Sequence, residues 1–107
     1  MVEIDHIALQ VKDLSLSLQW YINNFDAKII YQDETWAMIK IGNIKIALTI
    51  PSEHPPHIAI RVQDILDFPI GEIKEHRDGS KYLYKADPNG NVIEYIYYPI
   101  SPQKVII

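Results

Sequence analysis

The sequence contains no cysteine. This absence excludes disulfide bonds, thiolate metal sites and a cysteine nucleophile, so any chemistry has to use histidine, carboxylate, hydroxyl or amine groups. Basic clusters are also missing, because the ten Lys and Arg residues are scattered along a chain whose formal net charge is -4. A nucleic-acid or anionic-membrane surface needs clustered Lys and Arg, and we therefore expect a small molecule or a protein as the partner.

Long apolar runs are lacking as well. No run of about 18 apolar residues is long enough to cross a bilayer, and Met1 leads into a strand-like pattern without a signal-peptide core. We therefore expect a cytoplasmic protein with no membrane partner. The length of 107 residues, with 48% hydrophobic content, predicts one globular domain over residues 1–107 with a single shared core.

A nine-residue segment occurs twice. His6 to Leu14 reads His-Ile-Ala-Leu-Gln-Val-Lys-Asp-Leu and recurs 51 residues later, from His57 to Ile65, with five of the nine positions identical. Repetition at about half the chain length indicates that one small structural unit has been built twice. Repeated side chains of two such units tend to lie near a shared axis, which is where two imidazoles could meet.

The first unit is expected over residues 2–50. Its opening strand is followed by a helix capped by Asp13 or Ser15, and then by strands near residues 28–32, 35–41 and 44–50. We expect the apolar stripe of the helix to cover one face of the first strand. That stripe is Leu14, Leu18, Tyr21, Ile22 and Phe25, the covered face is Ile7, Leu9 and Val11, and the opposite face carries Ile4, His6, Ala8 and Gln10.

Residues 51–56 contain three prolines and predict a stiff connector. The second unit, over about 57–99, repeats the order of the first, with strands near 72–76, 80–86 and 91–98, but Pro69 and Gly71 shorten its helix. The fold class is therefore α+β, with two βαβββ units that form a cupped, barrel-like sheet.

Three residues suggest a metal site. In the last strand Glu94 shares a face with Val92, Ile96 and Tyr98, and a carboxylate among such apolar and aromatic neighbours is expected to pair with a cation. His6, His57 and Glu94 would supply three ligands from rigid strands and leave positions open for water or substrate. Taken alone, each histidine is more often a hydrogen-bonded core or rim residue, and Glu94 could instead pair with Arg61 or Lys45.

The paired histidines, the two βαβββ units and the segment Asp-Pro-Asn-Gly-Asn-Val-Ile-Glu, which ends at Glu94, resemble the vicinal oxygen chelate superfamily. That superfamily includes glyoxalase I, fosfomycin-resistance proteins, extradiol dioxygenases, methylmalonyl-CoA epimerase and bleomycin-resistance proteins. The resemblance implies a divalent ion (Mn²⁺, Ni²⁺, Zn²⁺, Co²⁺ or Fe²⁺) that acts as a Lewis acid on a small-molecule substrate in a lyase, transferase or dioxygenase reaction. It also implies a homodimer whose metal site is shared between subunits.

The resemblance is partial for each named activity. Ala47 stands where glyoxalase I enzymes have a fourth ligand, Ala8 replaces a threonine of the fosfomycin transferases, and no arginine follows Glu94 to grip a phosphonate. The general-base histidine of the dioxygenases has counterparts only in His54 or His76, which we expect in solvent. No catalytic residue is assigned. The resemblance to the fosfomycin transferases implies substrate contacts at Lys74, Arg77 and Tyr84. The full predicted substrate pocket consists of Gln10, Trp36, Ala47, Arg61, Tyr82, Tyr84, Lys74 and Arg77.

The alternative function is that of a metal-free protein which sequesters a hydrophobic or aromatic compound in the same cup, as bleomycin-resistance proteins do. Ala47 and the partial matches favour it. The two functions differ in whether the histidines and Glu94 are needed for ligand binding.

Overall fold

The computed structural model describes residues 2–52 and 54–99, and within them it confirms the α+β class with one α-helix, one short 3₁₀ turn and eight strands. No helix in this part of the chain is long and apolar enough to cross a membrane. The elements are β1 (Glu3–Gln10), α1 (Leu14–Phe25), β2 (Lys28–Gln32), β3 (Trp36–Ile41), β4 (Ile44–Thr49), β5 (His57–Arg61), the 3₁₀ turn (Ile65–Asp67), β6 (Lys74–Glu75), β7 (Lys81–Ala86) and β8 (Val92–Tyr97).

All eight strands form one sheet in the order β2-β3-β4-β1-β5-β8-β7-β6. Within each unit the first strand pairs in parallel with the last, β1 with β4 and β5 with β8, and the two units join through the antiparallel pair β1 and β5. His6 lies opposite Ala59 and His57 lies opposite Ala8 across this junction. The repeated segments are therefore related by an approximate two-fold axis, as the repeat predicts.

Strand β1 carries a bulge at Asp5. Ile4 pairs with Ile60 and the next register pair is His6 with Ala59, so Asp5 is an extra residue in β1. The bulge places the side chains of Asp5 and His6 on the same side of the sheet, where both are buried. The expected alternation put Ile4 on the face of His6 and is wrong at this point, since Ile4 shares the other face with Ile60.

Helix α1 begins at the Asp13 cap, whose carboxylate accepts a hydrogen bond of 3.0 Å from the Leu16 N–H. Leu14 and Leu18 are buried in the main core. The other buried members of that core are Ala27, Ala37, Ile39 and Leu48, with Val11 packed at its margin.

The helix lies over β3 and β4, and the expectation that it covers the β1 face was only partly right. Leu9 and Phe25 remain exposed, because β1 is the edge of the first unit's own four strands and a twelve-residue helix covers the middle of that group. In the second unit, where Pro69 and Gly71 predict a shortened helix, only the 3₁₀ turn Ile65–Asp67 is present, and β6 has only two residues.

The contribution of the helix to stability can be tested with two identical changes on opposite faces. Leu18 is 4% exposed and Leu16 is 70% exposed. We expect Leu18→Ala to lower the free energy of unfolding by about 2 to 5 kcal/mol through the cavity that it leaves, and Leu16→Ala to change it by less than about 0.5 kcal/mol. Urea unfolding of both variants measures this. Equal losses would contradict the packing of α1.

Candidate metal centre and cavity

Three buried side chains converge on the concave side of the sheet. His6, His57 and Glu94 each offer a ligand atom, and these atoms lie within 4.8 Å of one another. Glu94 Oε1 is 3.5 Å from His6 Nε2 and 3.3 Å from His57 Nε2. All three come from one chain, so the shared-site arrangement is not needed to bring these residues together.

The strand register explains why the three side chains meet. In the junction, Ala59 lies opposite His6, and in the neighbouring pair the same Ala59 lies opposite Glu94. Ala8 lies opposite His57 on the other side of the axis. The alanines have short side chains, so the longer imidazoles and the carboxylate have room to lean toward one another above them.

Both imidazoles are held by their Nδ1 atoms. His6 Nδ1 lies 2.7 Å from Asp5 Oδ2, and His57 Nδ1 lies 2.7 Å from the carbonyl oxygen of Pro55. A carbonyl or ionised carboxylate oxygen only accepts hydrogen bonds, so each Nδ1 carries the hydrogen and donates it. The lone pair of each Nε2 then points toward Glu94. In metal sites, histidine ligands are oriented in the same way, by a hydrogen bond from the ring nitrogen that does not bind the metal.

The centre of the cluster leaves polar atoms without partners. His57 Nε2 and Glu94 Oε1 are buried and form no hydrogen bond. With hydrogen on Nδ1, both atoms present lone pairs to each other, an arrangement that is unfavourable in a buried site unless a cation lies between them. Two imidazole nitrogens and one carboxylate oxygen are suitable ligands for a divalent transition metal. The residues present therefore fit a metal ion.

Glu94 is an ionised carboxylate at neutral pH. Burial alone would raise its pKa, but the positive charge that His57 and His76 carry when protonated, together with the hydrogen bond from His76, outweighs burial and lowers the pKa to about 2. The pKa of Asp5 is lowered in a similar way. Burial opposes ionisation there too, yet hydrogen bonds from His6 and Tyr98, together with the charge of Lys45, lower its pKa. The cluster therefore holds two buried negative charges, on Asp5 and Glu94, next to the imidazoles.

The expected partners of Glu94 are placed elsewhere. Lys45 Nζ lies 3.6 Å from Asp5 Oδ1, and the Arg61 guanidinium lies over the ring of Tyr98, 5.0 Å from its centroid. The hypothesis that Glu94 pairs with Lys45 or Arg61 is therefore wrong. Lys45 and Arg61 thus contact other side chains, and the groups next to the Glu94 carboxylate are the imidazoles.

A cavity of about 850 Å³ opens above the cluster. Five of the eight predicted pocket residues line it, and three do not. Gln10 is exposed and donates a hydrogen bond to the carbonyl of His54, Arg61 lies against Tyr98, and Lys74 is exposed on the edge strand β6. The five that line the cavity are Trp36, Ala47, Arg77, Tyr82 and Tyr84.

Two histidines expected in solvent also lie on the cavity wall. His76 Nε2 is 2.7 Å from Glu94 Oε2, and its ring stacks on Tyr82 with centroids 3.7 Å apart. His54 Nδ1 is 2.8 Å from the Tyr84 hydroxyl. The expectation of solvent exposure is wrong because the β6–β7 hairpin folds His76 over the cup, a contact between residues 18 positions apart that local sequence does not indicate.

The rim of the cavity joins the two units through one exposed ion pair. Arg77 Nη2 lies 3.2 Å from Asp33 Oδ2 across 44 residues of sequence. The Tyr31 hydroxyl donates to the same carboxylate oxygen, and Asp33 also accepts hydrogen bonds from the N–H groups of Thr35 and Trp36. Asp33 is therefore a fixed acceptor in the first unit against which Arg77 of the second unit rests.

The family model of the glyoxalase/bleomycin resistance protein/dioxygenase superfamily matches residues 3–69, more than half of the chain. The chain belongs to this superfamily. A curated relative, the metallothiol transferase FosB of Lysinibacillus sphaericus, is 26% identical over 116 aligned positions that cover 86% of this chain and 79% of the relative. These matches confirm the superfamily that the repeated histidine segment and the segment ending at Glu94 indicated.

Solved structures show the same fold. Methylmalonyl-CoA epimerase from Mycobacterium tuberculosis superposes with a TM-score of 0.74 at 16% identity, covering 97% of this chain and 91% of that one. A superfamily member from Vibrio splendidus superposes with a TM-score of 0.71 at 14% identity, covering 92% of this chain and all of that one. At these identities the similarity establishes the fold and not the reaction.

The acid response of the metal-free protein tests the charge state of Glu94. Its folded pKa is lowered, from 4.5 to about 2, so its contribution to stability is present above about pH 4.5 and is lost as the pH falls toward 2. The shift corresponds to the order of 3 kcal/mol. We expect Glu94→Gln to flatten the loss of unfolding free energy between pH 5 and pH 2, measured by urea unfolding in chelator. The exposed change Glu72→Gln should keep the wild-type slope, and an unchanged slope in Glu94→Gln would refute the assignment.

Proposed function

We propose that this protein binds one divalent metal ion through His6, His57 and Glu94 and uses it to act on a small molecule in the cavity. The observation that supports this most strongly is the pair of buried atoms His57 Nε2 and Glu94 Oε1, which face each other without a hydrogen-bond partner. A bound cation would satisfy both atoms. The ligand set is open to Mn²⁺, Ni²⁺, Zn²⁺, Co²⁺ and Fe²⁺, since nitrogen and oxygen donors alone do not select among them.

His6, His57 and Glu94 all line the cavity, so an ion that they held would be in contact with it. When bound, a divalent ion at such a site supplies Lewis-acid stabilisation of negative charge on substrate oxygens. Asp5 and Pro55 keep the two imidazoles in the ligating tautomer, and burial of the cluster excludes bulk water from it. The chain therefore contributes a fixed, largely dry set of donors.

The cavity wall suggests the kind of substrate. Trp36, Tyr82 and Tyr84 provide aromatic surface, and the volume of about 850 Å³ suits a molecule of drug or metabolite size. Lys45 and Arg77 also line the cavity, each already paired with a carboxylate. We therefore favour a substrate with an apolar or planar body and a pair of oxygen atoms that face the ion.

The reaction class is narrowed by Ala47. An alanine cannot ligate or act as a base, which argues against a glyoxalase I site with four protein ligands. The similarity to a metallothiol transferase supports a transferase over the lyase and dioxygenase classes.

A metal-free binding function is the second candidate. It is favoured by the aromatic wall of the cavity, where the ring of His54 lies against Tyr84. In this function the cluster is structural, and the compound is held by the aromatic surface alone.

Metal binding separates the two candidates. After reconstitution with each of the five ions, we expect about one ion per chain by elemental analysis, and a higher unfolding midpoint that depends on ion concentration. Alanine substitution of His6, His57 or Glu94 should weaken binding by more than about 100-fold, beyond the effect of losing an outer contact.

The matched control for this experiment is His54→Ala, which removes an imidazole from the cavity wall but not from the cluster. It should bind the ion with wild-type stoichiometry. Absence of every one of the five ions from reconstituted wild-type protein would exclude the metal-dependent function and leave the binding module.

We also propose a homodimer. The 3₁₀ turn that replaces the second helix leaves Leu66 and Ile70 almost fully exposed, and a second subunit packed on this turn would bury both side chains. Sedimentation equilibrium is expected to give about twice the 12.4 kDa mass of the chain. A monomer at all concentrations would contradict this proposal without affecting the metal site, whose three donors lie in one chain.

A further inference from the structure

His76 contacts the cluster of His6, His57 and Glu94 from outside it. Its Nε2 lies 2.7 Å from Glu94 Oε2, whereas the two cluster imidazoles approach the other oxygen, Oε1, at 3.3 and 3.5 Å. The two oxygens of one carboxylate therefore have different partners. Because Glu94 is only 1% exposed, no bulk water competes for either oxygen.

The orientation of His76 is fixed by its surroundings. Its ring stacks on Tyr82, with an angle of 10° between the planes. Its backbone N–H donates to the Ser80 carbonyl at 2.9 Å, and its own carbonyl accepts from the Gly79 N–H at 3.0 Å. The hairpin and the stacked ring thus hold the imidazole in one plane, with Nε2 directed at Glu94. The side chain remains 26% exposed, so its opposite edge reaches the cavity.

We propose that His76 is a positioning residue that makes Glu94 a single-oxygen ligand. By donating a hydrogen bond to Oε2, it withholds that oxygen from the ion and leaves Oε1 to bind. A carboxylate free to use both oxygens would occupy a second coordination position, which this arrangement keeps available for substrate. This inference rests on the proposed metal-dependent function and adds to it a determinant of coordination number.

Two substitutions separate the hydrogen bond from the ring. His76→Phe keeps an aromatic ring that can stack on Tyr82 but has no donor for Glu94. His76→Gln loses the ring but keeps an amide N–H₂ at about the position of Nε2, so it can donate to Oε2. If the hydrogen bond is what positions Glu94, the glutamine variant should resemble the wild type and the phenylalanine variant should not.

The experiment uses Co²⁺ as the probe. The metal-free full chain of the wild type and of each variant is titrated with Co²⁺, and binding is followed by visible absorption and by isothermal calorimetry. We expect His76→Phe to weaken Co²⁺ binding by about 10- to 100-fold, the usual effect of losing an outer partner of a ligand. We also expect its absorption bands to change in intensity and position, because a second Glu94 oxygen alters the coordination number. His76→Gln should restore both properties to near wild-type values. Urea unfolding of the metal-free variants checks that each is folded.

The outcomes distinguish the two proposals. Wild-type protein that takes up no Co²⁺ or any other of the five ions would overturn the metal-dependent function, and this inference with it. Wild-type protein that binds Co²⁺, together with His76→Phe protein of equal affinity and identical spectrum, would overturn the positioning role alone. If both variants lose affinity equally, the amide donor of His76→Gln does not rescue Co²⁺ binding, and the positioning role of the hydrogen bond falls. Should His76→Phe fail to fold, the spectrum of His76→Gln decides, since an altered spectrum there contradicts the role of the donor.

Discussion

The antiparallel pairing of β1 with β5 is the constraint on which the rest of the structure depends. Because side chains alternate along a strand, a slip of one residue in this pairing would turn His6 or His57 to the convex face and dismantle the cluster. The register places each histidine opposite an alanine, and the parallel pairing of β5 with β8 then places Glu94 beside Ala59. One junction therefore fixes the fold of both units and the position of all three donors.

The bulge at Asp5 adds a second layer to this junction. Without the extra residue, neighbouring side chains in β1 would point to opposite faces, and Asp5 could not bond to the imidazole of His6. With it, a buried network runs from Lys45 and Tyr98 through Asp5 to His6 and on toward Glu94. Such networks are stable only when their members are satisfied, since the low dielectric that strengthens each bond also raises the cost of an unpaired group. The unsatisfied atoms at its centre are therefore the informative exception.

The sequence predicts the parts of this arrangement that depend on local pattern. The repeat indicates two units, Asp13 and the apolar spacing indicate α1, and Pro69 with Gly71 indicates a shortened second helix, of which only a 3₁₀ turn is present. The cluster of His6, His57 and Glu94 could be proposed because all three lie on central strands whose alternation is readable. The contacts of Asp5 with His6 and of His76 with Glu94 could not, because one depends on a bulge that breaks the alternation and the other on a hairpin that folds back over the cup. Neither the bulge nor the fold-back leaves a periodic signal.

The two units differ at the strand position that carries Glu94 in the second unit. Ala47 pairs with Ala8 as Glu94 pairs with Ala59, so Ala47 is the counterpart of Glu94 under the two-fold relation. A symmetric site would have two carboxylates facing each other across the histidines, whereas this one has a carboxylate on one side and a methyl group on the other. Ala47 lines the cavity and offers neither a ligand atom nor a base there. In the proposed metal-dependent function, the first unit would therefore supply only His6 as a ligand, and the second unit would supply His57 and the one carboxylate, Glu94, which His76 contacts.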